Sequence, residues 1–548
     1  MTFGFNPEIL SSSPFHGSYL AVVEALAKCV AVGGDWQKAR LSLQEYFRKL
    51  GNDPHNFGIV FQALLGALQA QIDYQVPAIG GKDSMSGSFA SLHVPPTLIA
   101  FALAVASANQ VISPELKKIG SFIYLLEPDI DEYGLPLPKS TIKIWNQITT
   151  LIRSHQVISA FAVKAGGWIE AIAKMSFGNK IGVSIDEKTH IKNMFTPSYG
   201  AIVIEAWSII PDLDQYMIGK TIKEPLLVIG KQTIPLEEAI AANCATFESV
   251  YPTQVYCPNK HPIVELKSIK TVQQTESDYQ PKVLIVAFPG TNCETDSESA
   301  FRDAKAFVKT VVFRNQDNDA IINSLGELCE ELDKADLLCI PGGFSSGDEP
   351  DGLGKFITAV LLNPLVSSAI ERLQKRNGLI LGICNGFQAL IKSGLLPYGK
   401  LGMVATDSPT LAKNMIGRHV AKMVQTKVIS NDNPWFSNVD AGTIHTLPIS
   451  HGEGRFVASD EVIADLIKNH QIATQYVDYD GFPTMDSKFN PNGSIYAIEG
   501  ILSPDGRILG KMGHSERYGE NLYKNINGNK YQPIFASAIE FIKGEKLR

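Results

Sequence analysis

The chain holds little cysteine for its size, seven in 548 residues, and none of it in a CxxC pair. An odd count without paired spacing excludes a disulfide framework and fits a reducing cytosol, so a cytoplasmic location is expected. A Lys/Arg-rich tract is also missing, and the formal net charge of -7 argues against gripping nucleic acid by bulk electrostatics. Long hydrophobic runs are absent. The longest, "PTLIAFALAVASA", is too short for a membrane span and reads as a buried strand. The opening "MTFGFNPEILSSSP" has neither a basic start nor an apolar core, which excludes a signal peptide. Cys257 and His261 stand four apart, and two ligands do not make a zinc site.

What is there is an ordinary globular composition, 45% hydrophobic and 19% charged, on a chain long enough for two to four domains. Residues 15 to 50 show apolar positions at helical spacing, interrupted at Gly33-Gly34. A second helical stretch, "IVFQALLGALQAQIDY", leads into "VPAIGGKDSMSGSF". A new strand begins near "SFIYLLEP", and strand-like runs ("GAIVIEAW", "PLLVIG") then mix with helical ones ("GGWIEAIAKM"). These patterns divide the first part into residues 1–110 and 111–267. The polar, non-periodic stretch at 268–281 has linker composition. From 282 to 548, β-rich runs ("KVLIVAF", "LLCIPGG", "GLILGIC") alternate with helical patterns, which predicts a parallel sheet covered by helices.

In "GLILGICNGFQAL", Cys384 lies between Gly382 and Gly386, with a strand before it and a helix after it that Gly394 ends. Open α/β sheets bind ligands where strand turns into helix. The flanking glycines permit a tight corner and leave room for a substrate, and the helix N-terminus favours a thiolate. The alternative is a buried structural cysteine. A nucleophilic thiol needs a base, and the base needs an orienting group. In "GKMGHSERYG", His514 and Glu516 are two apart, so on an extended segment both point to one side. A second glycine-rich loop, "CIPGGFSSGDEPDG", offers the backbone N–H of Gly343, with that of Asn385, as an oxyanion hole. Cys293, in "FPGTNCETD", is the rival nucleophile; it lacks the glycine bracket, and Glu294 and Asp296 disfavour its thiolate.

G-x-C-x-G-x-Q at 382–388, the PGG loop and the later H-x-E together resemble a class I glutamine amidotransferase domain. That resemblance implies Cys384 as the nucleophile on the glutamine amide, through a thioester, with His514 as general acid/base and Glu516 as its orienter. It implies that Gln388 and the segment from Ser450 through His451, Gly452 and Glu453 to Phe456 help hold glutamine. The finer spelling, "FPGTNCETD", "GGFSSGDEPDG", "GICNGFQ" and "HGEGRF", resembles the formylglycinamide ribonucleotide amidotransferase family, and "PAIGGKDSMSGSF" resembles its second synthetase repeat.

The fold then implied is a mixed α/β and α+β multidomain chain. A partial aminoimidazole-ribonucleotide-synthetase-like repeat, opening part-way through its first domain, precedes a flavodoxin-like, doubly wound glutaminase domain. The implied reaction takes formylglycinamide ribonucleotide, glutamine, ATP and water to the amidine, glutamate, ADP and phosphate, with Mg2+ for the complete reaction and no cofactor for glutamine hydrolysis. The first synthetase repeat would come from a separate chain or a missing N-terminal half. Glutaminase activity alone is expected of the isolated chain, and the alternative is a non-catalytic scaffold half or fragment.

The candidate nucleotide or phosphate positions are Glu24, Lys82, Asp83 and Ser84, against the bland reading of a Gly-Gly turn with solvated charges. Where the family shows E-A-x-x-N and D-x-S-D-G-G-like motifs, this chain has "EALAK" and "AVKAGG", with Lys28, Ala162 and Lys164 at key places. Magnesium wants hard oxygen ligands, and a lysine ammonium repels it, so no metal site is assigned here. A cysteine hydrolase or redox sensor on a flavodoxin-like sheet would explain the corner at Cys384 but not the H-x-E pair.

Overall fold

The structure is a computed structural model that describes residues 1–186, 193–255, 262–269, 277–345 and 354–546. Cys257, His261 and residues 346–353 of the second glycine-rich loop lie outside the described residues. Two compact units divide the chain, Met1–Ser249 and Val250–Arg548.

In the first unit, a four-stranded sheet runs in the order Thr2–Gly4, Thr97–Leu103, Arg40–Tyr46, Ala78–Ser84. The helix Pro14–Ala31 packs on it, and the helix Pro54–Tyr74 packs against that helix. The "LIAFAL" run is a strand, as its apolar continuity requires. Residues 40–46, which carry helical spacing in the sequence, form a strand instead. "RLSLQEY" buries alternate residues, Leu41, Leu43 and Glu45, and this period of two prevails once the chain is paired on both sides. A second sheet of seven mostly antiparallel strands takes in Phe122–Leu126, Val157–Ala162 and Ile202–Ala206. One apolar core joins the two sheets, since residues of the 14–31 helix cluster with Trp145, Ile148 and Ile202. Residues 1–110 and 111–249 therefore share a core.

The boundary between the units falls earlier than the polar stretch at 268–281. Gln475 Nε2 donates to the Pro262 carbonyl at 3.0 Å, and Lys267 N donates to Ile429 O at 2.9 Å, so residues 262–269 belong with the second unit. Backbone pairing, invisible to composition, decides the matter.

The main sheet of the second unit has nine strands, labelled here in chain order: β1 (Lys282–Ala287), β2 (Phe307–Val312), β3 (Leu337–Ile340), β4 (Leu379–Ile383), β5 (Val420–Val428), β6 (Ile444–His451), β7 (Ile472–Val477), β8 (Ile498–Leu502) and β9 (Ile508–Lys511). Their spatial order is β2-β1-β3-β4-β9-β8-β7-β5-β6. The first five are parallel neighbours, the expected doubly wound sheet. The last four continue it antiparallel, an extension the alternation of runs does not reveal. β3 and β4 are buried throughout, as strands covered by helices on both faces must be. Among the described residues, no single helix is long and apolar enough to cross a membrane.

Candidate active site

Cys384 follows β4 directly and caps the helix Asn385–Ser393, which Gly394 ends in a left-handed conformation. Its own backbone is strained, with φ 52° and ψ -105°, a conformation non-glycine residues rarely adopt. Strand and helix pin it from both sides: Cys384 N donates to Lys511 O at 2.8 Å, and Gln388 N donates to Cys384 O at 3.0 Å. The flanking glycines serve this packing rather than substrate access. A methyl on Gly386 would lie 2.0 Å from the Ile340 carbonyl oxygen, and one on Gly382 would lie 2.5 Å from the Leu390 side chain. They let the helix sit against the sheet so closely that the corner has no other shape.

The thiolate expected from the helix N-terminus is not what the structure supports. Burial, then the neighbouring Cys293 and Glu516, push the Cys384 thiol up to about 12, and the Asn385 backbone hydrogen bond only partly opposes them. Desolvation of an anion in a closed site outweighs the partial charge of a helix end. That environment favours the protonated form of Cys384, whose Sγ lies 3.8 Å from the Ser450 carbonyl oxygen.

His514 and Glu516 lie just beyond β9, next to β4 in the sheet, so sheet order closes the long sequence gap to Cys384. His514 Nδ1 and Glu516 Oε1 are 2.6 Å apart, and both residues are buried. Burial alone would raise the Glu516 carboxyl, but the His514 imidazole holds it below its ordinary value. With Nδ1 engaged there, Nε2 is buried without a hydrogen-bond partner. Gly342 lies between His514 and Cys384. A Cβ on it would stand 2.8 Å from His514 Cε1 and 3.3 Å from Cys384 Cβ. The imidazole, Cys384 Cβ and, also at 3.3 Å, Cys293 Sγ thus surround the space of one missing methyl.

Cys293, taken from the sequence as a rival nucleophile, sits inside this site. Its Sγ is 3.8 Å from His514 Nδ1, and Arg517 Nη2 donates to it at 2.9 Å. Burial and Glu516 push its thiol up to about 11 despite Arg517. The ligand atoms of Cys293, His514 and Glu516 all lie within 4.8 Å of one another, a spacing that can hold a metal. The Arg517 guanidinium against the sulfur opposes a cation there. Neither Cys293's place nor Arg517 was foreseen as part of the site; the "HSER" spelling was the available signal for the arginine.

Gly343, at φ +151°, pairs with Thr291 beside this cluster, and Asn385 begins the helix after Cys384. Gln388 is tied into the corner. Its amide accepts from Asn385 Nδ2 at 2.8 Å and donates to the Glu453 carbonyl at 2.5 Å, bracing the corner against the 450–456 segment. In that segment Ser450 Oγ bonds His419 Nε2 at 3.0 Å. His451 is buried with Nδ1 on Asn414 Oδ1 at 3.1 Å and Nε2 unpartnered, and burial together with His514 and His419 drives it down to about 3. The Gly452 carbonyl accepts from Asn414 N.

In the first unit, Glu24 is buried and pairs with Lys28 at 2.7 Å. Lys82, Asp83 and Ser84 lie on the edge strand Ala78–Ser84, where Lys82 and Asp83 are exposed. Lys164 is held below the ordinary lysine range by burial and by Lys174. A carboxylate already neutralised by one lysine, with a second lysine in the same electrostatic neighbourhood, does not fit a magnesium-nucleotide site.

Residues 280–542 match the family model described as a CobB/CobQ-like glutamine amidotransferase domain. The phosphoribosylformylglycinamidine synthase subunit PurQ of Gloeobacter violaceus is 33% identical over 264 residues, covering 48% of this chain and 100% of that protein. The subunit of the same name from Salinibacter ruber is 32% identical over 260 residues, covering 47% and 95%. Among solved structures, PurLQS from Thermotoga maritima is similar over 48% of this chain and 100% of the matched one, at 27% identity and a TM-score of 0.35.

Proposed function

The chain belongs to the phosphoribosylformylglycinamidine synthase family, as its glutamine-hydrolysing PurQ part in purine biosynthesis, and from that premise we propose how its residues release ammonia and what receives it. Glutamine binds over the corner at Cys384. His514 Nε2 takes the thiol proton as Sγ bonds to the amide carbon, and the carbonyl oxygen gains the negative charge. Backbone N–H groups of Gly343 and Asn385 receive that charge; such a donor is typically worth about 3 kcal/mol in the transition state. The C–N bond then breaks, the His514 proton leaves with ammonia, and a thioester remains. Water, deprotonated by His514, cleaves the thioester, and the proton returns to Cys384 as glutamate departs. Glu516 keeps the imidazole in one tautomer and stabilises its charged form.

The observation that carries this reading is the strained, doubly pinned Cys384 and the buried His514–Glu516 pair, both bordering the space beside Gly342. A thiol raised to about 12 requires a base, and the unpartnered Nε2 supplies one.

The receiver is a separate chain carrying the first synthetase repeat, which uses ATP to activate formylglycinamide ribonucleotide. The relatives are themselves called subunits. In the first unit, the 54–74 helix exposes Phe57, Phe61, Leu64, Leu65, Leu68 and Ile72 as one stripe, and the neighbouring edge strand exposes Ile79. An apolar stripe of this length on a soluble surface marks an interaction face. The misfit at Glu24 and Lys164 favours placing the working nucleotide site on the partner, and no step is routed through magnesium in this chain.

The test is glutamate release by the purified protein, with and without the partner. Cys384→Ala should remove it, and the reconstituted assembly carrying that variant should still make the amidine from free ammonia. Loss of the ammonia-driven reaction in a well-folded Cys384→Ala assembly would refute the division of labour. Glutamine hydrolysis that survives the substitution would refute the nucleophile.

A further inference from the structure

One buried cation touches both halves of the site. Lys511 ends β9 and is fully buried. Its carbonyl oxygen receives the Cys384 N–H at 2.8 Å. Its side chain turns onto the loop that follows, where Nζ donates to Gly513 O at 2.6 Å and Ser515 Oγ at 3.0 Å. Those residues stand on either side of His514.

Glu499 completes the arrangement from β8. Its Oε1 lies 3.3 Å from Lys511 Nζ and accepts the Gly513 N–H at 2.5 Å. Its other oxygen accepts the Thr474 hydroxyl. Ser515 Oγ passes the network on to Gln532 Oε1 at 2.6 Å, and His514 N donates to Pro448 O at 2.9 Å. The loop around His514 thus has its backbone and side-chain polar groups tied to two buried charges and two neighbouring strands.

Stability alone is a poor reason for such a pair. Removing two charges from water costs several kcal/mol each, and well-packed apolar residues of similar volume are often as stable or more so. What an apolar pair cannot do is hold Gly513 O, Gly513 N–H and Ser515 Oγ at fixed angles. Proton transfer between Cys384 and His514 depends on that geometry, because a displacement of about 1 Å can cost about a hundredfold in rate.

We infer that the buried Lys511–Glu499 pair is a positioning clamp for glutamine hydrolysis, registering the His514–Glu516 loop against Cys384. Neither residue touches the reacting atoms. The inference rests on the reading of Cys384, His514 and Glu516 given above.

The experiment uses the full chain in its assembly and compares Lys511→Met, Glu499→Leu and the double variant by thermal midpoint and by kcat and KM for glutamine. Each single variant should lose thermal stability, because it leaves one charge buried and unpaired. The double variant should regain most of it while kcat stays down about tenfold or more, with KM within about threefold. Recovery of kcat together with the midpoint would overturn the clamp. Should the double variant not fold, Ser515→Ala decides, because it removes one Nζ acceptor and leaves the ion pair in place. A lower kcat at unchanged midpoint supports the clamp, and an unchanged kcat overturns it. Cys384→Ala is the control. If it is inactive while the double variant is fully active, only the clamp fails; if it retains glutaminase activity, the site reading itself fails.

Discussion

Cys293 Sγ lies 3.8 Å from His514 Nδ1, the same nitrogen that Glu516 holds at 2.6 Å, so a second thiol shares the base's orienting side. Cys384 Cβ and His514 Cε1 both border the space that a Cβ on Gly342 would fill. With Arg517 donating to Cys293 and burial keeping its thiol near 11, Cys293 is protonated at neutral pH. Its nearness is nonetheless one of the causes that raise the Cys384 thiol.

Cys293→Ala should therefore keep glutaminase activity within about threefold, whereas Cys384→Ala abolishes it. Alkylation of Cys384 by a glutamine-mimicking reagent should rise with pH toward the alkaline limit in the resting protein. The Cys293→Ala profile should shift to lower pH, because a negative neighbour has been removed. An inactive, well-folded Cys293→Ala protein with reactive Cys384 would assign Cys293 a direct part in the chemistry.

Gly342 permits a sharper test. Its backbone does not lie in the left-handed region, so alanine is tolerated by the main chain. The added methyl would nevertheless stand 2.8 Å from His514 Cε1 and 3.3 Å from both Cys293 Sγ and Cys384 Cβ. Gly342→Ala should cut kcat about a hundredfold, because the imidazole and Cys384 must shift to admit the methyl, and a thermal midpoint within a few degrees of the parent's checks that the fold has held. An active Gly342→Ala protein would mean the imidazole works from another position.

The corner at Cys384 was legible because all its determinants are local: four apolar strand residues, two glycines, a helix and a terminating Gly394 within about one supersecondary unit. The H-x-E pair was legible for the same reason. Cys293 was not, because 221 positions separate it from His514 and only the parallel order β1-β3-β4-β9 brings their loops together. The state of the thiol was misread. A helix end is visible in sequence, but the burial that overrides it is a property of the whole unit. Residues 40–46 show the other kind of miss: a short stretch such as "LSLQEYF" satisfies both periods, and its partners choose. Nothing local in the sequence marks Lys511 or Glu499, whose burial follows from the pairing of β8 with β9.

The buried histidines set an acid limit. Burial, with Lys511 nearby, lowers His445 to about 4, and burial with His514 and His419 lowers His451 to about 3. Both are neutral in the native state, while the unfolded chain takes up protons below about 6.5. Their contribution is therefore complete above that value and is lost as pH falls toward 4 and 3, by up to roughly 1.4 kcal/mol per pH unit for each histidine. Amide protection in β5 and β6 should decline from pH 6.5 to 5. A His445→Gln, His451→Gln double variant should show a shallower decline. Equal slopes in both proteins would mean these histidines are already charged in the fold.

The exposed stripe on the 54–74 helix separates assembly from chemistry. Phe61 is 63% exposed and Leu68 50%, and they lie seven residues apart on one face with Phe57, Leu64 and Ile72. They contribute little to the core of their own unit, so Phe61→Glu with Leu68→Glu should leave its thermal transition within a few degrees of the parent's. Placed in an apolar interface, two carboxylates would face desolvation without partners, and association should weaken about a hundredfold or more. The variant should keep its partner-free glutaminase rate and lose glutamine-dependent amidine formation, and sedimentation with the partner should show two separate species. A variant that still assembles and transfers ammonia normally would move the partner's docking face elsewhere on the chain, leaving the chemistry at Cys384 untouched.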